Sequence, residues 1–205
     1  MKEEILMAER INFTELAEKL GGETTEVALP NGKIMKAPVW TRELGLKALD
    51  YFREYAKTHD HAEFDGHADP WIMMGIMNEL RDIRVTNYLG PLGDKLDMVP
   101  YAVGAEPKEG QPVDFRLEMD GTTAHLTVIL GDNANPFAMP IKDIAAPAIP
   151  DGSDIIVSLE GKHFIFNFPL PVTYGAKCRT MYMQDGDGFS CCITNTPDVK
   201  LGDRK

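Results

Sequence analysis

Asp69-Pro70-Trp71-Ile72-Met73-Met74-Gly75-Ile76-Met77-Asn78-Glu79-Leu80-Arg81 is the stretch on which the fold turns. An aspartate followed by proline is an N-cap and first-turn signature. Beyond it Trp71, Ile72, Met73, Met74, Ile76, Met77 and Leu80 cover nearly the whole helical circumference. A helix that is apolar on all sides is stable only when other elements surround it, so the spacing predicts a central buried helix from Trp71 to about Arg81.

Toward the N-terminus the periodicity stays helical. Leu44, Ala48, Leu49, Phe52 and Tyr55 trace one face between Thr41 and Thr58, opposite Arg42, Lys47, Arg53 and Lys57, which is the pattern of an amphipathic helix lying on a core. Asn12-Phe13-Thr14-Glu15 has capping-box spacing and opens a short helix that Gly21-Gly22 stops. Between these two helices, Thr25 to Met35 is broken by Pro30-Asn31-Gly32, a turn signature that joins two strands in a hairpin.

Toward the C-terminus the pattern shifts to strands. Ile83–Leu89, Leu96–Val103, Val113–Met119 and Ala124–Leu130 are short apolar stretches between glycine and proline punctuation. Gly131 to Pro150 holds Pro136, Pro140, Pro147 and Pro150 and reads as a structured loop or connection. Two hairpins are expected after it: Ile155–Leu159 with His163–Phe168, and Cys178–Met183 with Phe189–Asn195. Phe164, Phe166 and Phe168 alternate and would share one strand face.

The expected class is therefore α+β: a helical N-terminal third packed on an antiparallel or mixed sheet, followed by a mostly antiparallel β C-terminal part. Residues 1–130 form an α+β region with the central buried helix, and residues 131–205 a hairpin-rich region that can belong to the same domain.

Composition narrows the function. The chain carries 32 acidic against 21 basic residues, a formal charge of −11, which repels a polyphosphate backbone and makes duplex nucleic acid an unlikely partner. A small-molecule ligand is not excluded, because a local basic cluster binds one anionic group inside an acidic protein. Neither a membrane helix nor a secretory leader is visible, so the chain is read as cytoplasmic, without a membrane partner, and a homo-oligomer stays open. Cys178, Cys191 and Cys192 are too few and too clustered for a disulfide framework and are expected as reduced core thiols. A hairpin centred on Gly186-Asp187 places Cys192 opposite Met181 and Cys178 opposite Asn195, leaving no bridge between the two cysteines.

One segment concentrates chemistry. His59-Asp60-His61-Ala62-Glu63-Phe64-Asp65-Gly66-His67-Ala68-Asp69 holds three of the five histidines. Its odd positions are all His, Glu or Asp, so an extended chain presents them on one face while Ala62, Phe64 and Ala68 face inward. His59, His61 and His67 are the candidate metal ligands, and Glu63 and Asp65 the candidate catalytic carboxylates. Imidazole with carboxylate suits Zn²⁺, Mn²⁺ or Fe²⁺ as a divalent transition-metal cofactor. The competing interpretation is a charged edge strand whose polar face deters pairing with other sheets.

Other segments carry less. Tyr88-Leu89-Gly90-Pro91-Leu92-Gly93-Asp94, Gly131–Pro136 and Asp185–Gly188 read as turns, and His125 and His163 as structural histidines in strands. No P-loop, G-x-G-x-x-G or G-x-S-x-G motif is present. Two functions follow as expectations. One is a metal-dependent enzyme acting on a small polar substrate through the His/carboxylate cluster. The other is a non-catalytic small-ligand or partner-binding module whose pocket is lined by Met73, Met74, Met77, Met98 and Met139.

Overall fold

Strands and helices alternate in the first half of the chain because capping signals recur between its apolar runs. The structure is a computed structural model that describes residues 10–29, 31–66, 68–89, 94–131, 134–161 and 164–205. Strand β1 (Arg10–Asn12) runs straight into helix α1 (Phe13–Lys19), where the Asn12 side chain accepts hydrogen bonds from the Thr14 and Glu15 amides. The hairpin β2 (Thr24–Ala28) and β3 (Ile34–Pro38) follows, as the turn signature predicts. Thr41 then caps helix α2 (Arg42–Ala56) through the Leu44 amide. Strand β4 (His61–Asp65), helix α3 (Pro70–Glu79), strand β5 (Arg84–Leu89) and strand β6 (Asp94–Asp97) complete this half. Strands β1, β4 and β5 are parallel neighbours and β6 closes the sheet antiparallel, in the order β1-β4-β5-β6.

A short parallel pair, β7 (Ala102–Val103) with β10 (Ala145–Ala146), anchors the proline-rich connection, and the Gln111 side-chain amide there donates to the Ala145 carbonyl and accepts from the Ala145 N–H. The second sheet contains β8 (Val113–Asp120), β9 (Thr123–Leu130), β11 (Asp154–Glu160), β12 (Thr180–Asp185) and β13 (Gly188–Thr194), in the order β13-β12-β11-β9-β8. Because β9 pairs with β11, this sheet runs across residue 130.

The molecule is a mixed α+β protein, but the C-terminal half is not mostly antiparallel. Strands β9, β11 and β12 are parallel, and only the outer strands β8 and β13 run against them. The expected hairpin of Ile155–Leu159 with His163–Phe168 does not form. Phe164–Asn167 is a 3₁₀ turn leading into helix α4 (Pro169–Tyr174), which carries the chain over to β12. Pro169 and Pro171 explain the difference: neither donates to a strand ladder, and proline is favoured in a first helical turn. Phe166 and Phe168 are buried all the same. His163 lies outside the described residues.

Helix α3 is buried on every side, as its circumference requires: Trp71, Ile72, Met73, Met74, Gly75, Ile76 and Met77 are all inside. It packs on α2, α4, β12 and β13 while serving as the crossover between β4 and β5, so one continuous core runs from Phe13 to Ile193. Two glycines permit this closeness. A methyl group at Gly45 of α2 would fall 2.9 Å from the Ile72 side chain, and one at Gly75 of α3 would fall 2.7 Å from Leu49. Met73, Met74 and Met77 are fully buried core residues. On the other flank Phe13, Phe52 and Phe64 form an aromatic cluster, with ring centroids 5.3 to 6.1 Å apart, that fastens α1 and α2 to the first sheet. No helix among the described residues is long and apolar enough to cross a membrane.

Cys178, Cys191 and Cys192 are free and buried. A bulge between Met181 and Tyr182 puts Ile193, and not Cys192, opposite Met181. Burial raises all three thiols, Cys178 to about 12 and Cys191 to about 11. With a pKa near 11, only about one thiol in a thousand is ionised at pH 8. Iodoacetamide at pH 8 is accordingly expected to leave the native protein unmodified and to add three groups after unfolding in urea. Rapid labelling of the native state, read by intact mass, would contradict the burial.

Candidate functional site

The parity of β4 is realised in the fold. Ala62 and Phe64 have no exposed surface, whereas His61 and Glu63 are half-buried on the opposite face and Asp65 is exposed at its end. Strand pairing adds what the sequence does not display. Arg10 of β1 lies opposite Glu63, and Arg84, Thr86 and Tyr88 of β5 lie opposite His61, Glu63 and Asp65. Asp97 of β6 lies opposite Thr86. One sheet face therefore gathers cationic, anionic and hydroxyl groups from four strands.

The centre of this face is a chain of hydrogen bonds. The Thr86 hydroxyl donates to Asp97 Oδ1 at 2.6 Å, and His61 Nε2 lies 3.0 Å from the same hydroxyl oxygen. A threonine has one proton to give, and here it goes to the carboxylate. Nε2 of His61 must therefore carry the N–H that Thr86 accepts, which leaves Nδ1 of the neutral ring as the proton acceptor. Arg84 reaches Asp97 at 3.2 Å. Partial burial pushes the Asp97 carboxyl upward, but the hydrogen bonds from Thr86 and Arg84 and the neighbouring charges outweigh it and hold the group below the ordinary carboxylate range.

Beside this relay the Tyr88 hydroxyl donates to Glu63 at 3.0 Å, and the Arg10 guanidinium lies 3.5 Å above the Tyr88 ring. Glu63 Oε1 is 3.9 Å from His61 Nε2. The candidate carboxylate is thus tied to a tyrosine and adjoins the histidine. Asp65 joins the same face one step further along β4.

His59 precedes the strand and follows a different geometry. Its ring stacks on Tyr55, with centroids 3.7 Å apart and planes inclined by 6°. Nδ1 lies 2.9 Å from the Thr58 hydroxyl and 3.0 Å from the Tyr55 carbonyl oxygen; the carbonyl can only accept and the hydroxyl can also accept, so an Nδ1–H satisfies both and leaves Nε2 as the acceptor. His59 and His61 both line a groove of about 930 Å³ beside β1, walled also by Arg10, Lys19, Tyr51 and Tyr55. His67 lies outside the described residues. Among those residues no three His, Cys, Asp or Glu side chains come together to hold a metal ion.

Sequence reasoning named His61, Glu63 and Asp65, which the fold places on one strand face, and did not name Arg10, Arg84, Thr86, Tyr88 and Asp97, which pairing brings beside them. Arg84, Val85 and Thr86 alternate polar and apolar, but the polar Asn87 before Tyr88 breaks the pattern and weakens it as a signal. Fold and site together define an α+β protein with two mixed sheets and a hydrogen-bonded polar network on the first. No described protein family, curated protein sequence or solved structure matches the chain.

Proposed function

We propose that the protein acts on a small polar substrate by acid–base chemistry, with His61 as the proton-accepting group. The observation that carries this reading is the His61–Thr86–Asp97 relay. A carboxylate that orients an imidazole and fixes its tautomer is the arrangement a general base requires, here with a hydroxyl between the two. Glu63 and Asp65 lie along the same strand face and supply the carboxylates of the cluster.

A divalent transition metal forms a second reading, supported by one feature: His59 Nε2 and His61 Nδ1 are acceptor nitrogens on residues lining one groove. Zn²⁺, Mn²⁺ or Fe²⁺ would take these nitrogens, and a further ligand would have to come from His67 or the substrate.

Imidazole ¹⁵N shifts test both. Neutral His61 is expected as the Nε2–H tautomer, and Thr86→Val and Asp97→Asn are expected to weaken that preference. On any small ester, amide or phosphoester that the protein turns over, His61→Gln should lower kcat by about 10²–10⁴-fold, the usual contribution of a general base. A neutral ring protonated at Nδ1, or undiminished turnover by His61→Gln, would overturn the acid–base reading. A shift of both acceptor nitrogens on adding one equivalent of Zn²⁺ would select the metal reading, and unchanged shifts would remove it.

A further inference from the structure

We infer that the groove beside β1 binds a small anionic molecule, whose phosphate or carboxylate group is held by Arg10 and Lys19. The inference deepens the acid–base reading by naming the substrate's charge, but its binding step does not depend on that reading.

The arginines make the case. Arg42, Arg53, Arg81, Arg84, Arg116, Arg179 and Arg204 each lie within 4.0 Å of a carboxylate. Arg10 is the one arginine without such a partner among the described residues, in a chain with 32 acidic residues against 21 basic. Its register neighbour Glu63 accepts instead from the Tyr88 hydroxyl. The Arg10 guanidinium carbon lies over the Tyr88 ring, 3.5 Å from its centroid. Stacking of this kind engages the π face and leaves the in-plane N–H donors directed outward, which is the geometry that grips a carboxylate or phosphate with two bonds.

Lys19 supports the same conclusion from α1. Its ammonium sits 5.4 Å from the Tyr51 ring and has no carboxylate within ion-pair distance among the described residues. Lys57, the third cation of the groove wall, is paired with Glu54 at 2.6 Å, so Arg10 and Lys19 are the wall's cations without a carboxylate partner among the described residues; Glu15 and Asp60 share the wall with them. Its volume of about 930 Å³ suits a molecule and exceeds what a lone ion needs. His61 lies on the same wall, so a bound anion would stand beside the proposed base.

Titration of the full chain with inorganic pyrophosphate and, separately, with citrate tests the inference by calorimetry and by the imidazole resonances of His59 and His61. At least one of the two should bind at millimolar concentration or below and move those resonances, with pyrophosphate and citrate distinguishing a phosphate from a carboxylate preference. Affinity should fall with added salt. Arg10→Ala and Lys19→Ala should each weaken binding about tenfold or more, and Arg10→Lys should fail to restore it because a point charge does not replace the fork. Lys19 is exposed on α1, so its variant keeps the fold even if Arg10→Ala disturbs β1. Failure of both polyanions at millimolar concentration, or wild-type affinity in Lys19→Ala and Arg10→Ala, overturns the inference. Thr86→Val separates the two readings: it should disturb the His61 tautomer yet leave anion affinity unchanged.

Discussion

Truncation of Trp71 to alanine is expected to lower the free energy of unfolding by about 3–5 kcal/mol, the cost of deleting a large aromatic from a packed interior. Trp71 is 4% exposed and opens α3, the element on which both halves of the molecule pack. The indole fills the space over Gly45, where even a methyl group would lie 3.1 Å from its ring. Collapse of α2 into the vacated volume is limited, because Leu49 already abuts Gly75 one turn further along. The cavity therefore persists and its cost adds to the lost transfer energy. Urea unfolding of wild type and variant should show a lower midpoint with an unchanged slope. A loss below about 1 kcal/mol would mean that α3 is not the centre of the core.

What could be read from the chain was what local chemistry decides. Asn12 and Thr41 cap their helices through contacts two or three residues away, and the hairpins β2–β3 and β12–β13 carry their turn residues between their strands. The all-apolar circumference of α3 likewise needs no partner to be recognised. The parallel crossover from β11 to β12 was hidden because Phe164, Phe166 and Phe168 imitate strand alternation, whereas Pro169 and Pro171 decide the outcome by turning the chain into α4.

The same division runs through the site. Parity placed His61, Glu63 and Asp65 on one face, since successive side chains of a strand must alternate. It could not show which strand lies alongside. Thr86 reaches His61 only because β4 and β5 pair in parallel through the α3 crossover, and Asp97 joins only because β6 folds back antiparallel. The relay is a product of pairing between distant segments, and no local spacing encodes it.

Along β4 the two faces should separate cleanly in energy. Phe64→Ala is expected to cost about 3–5 kcal/mol, because the ring is fully buried and its deletion opens a cavity at the junction of α1, α2 and the first sheet. It also removes edge contacts to Phe13 at 5.4 Å and to Phe52 at 5.3 Å, pairs that contribute about 0.5–1.5 kcal/mol beyond burial. Glu63→Gln, one position earlier, should cost less than about 1 kcal/mol: the amide oxygen still accepts from Tyr88, and the side chain is only half-buried, on the face away from the core. Strand geometry, and not residue type alone, makes the difference, since adjacent residues point to opposite sides of the pleat. Unfolding of the two variants under one set of conditions checks it. Equal losses would mean that β4 is turned over or shifted by one residue, and a shift by one would also carry His61 away from Thr86 and dissolve the relay.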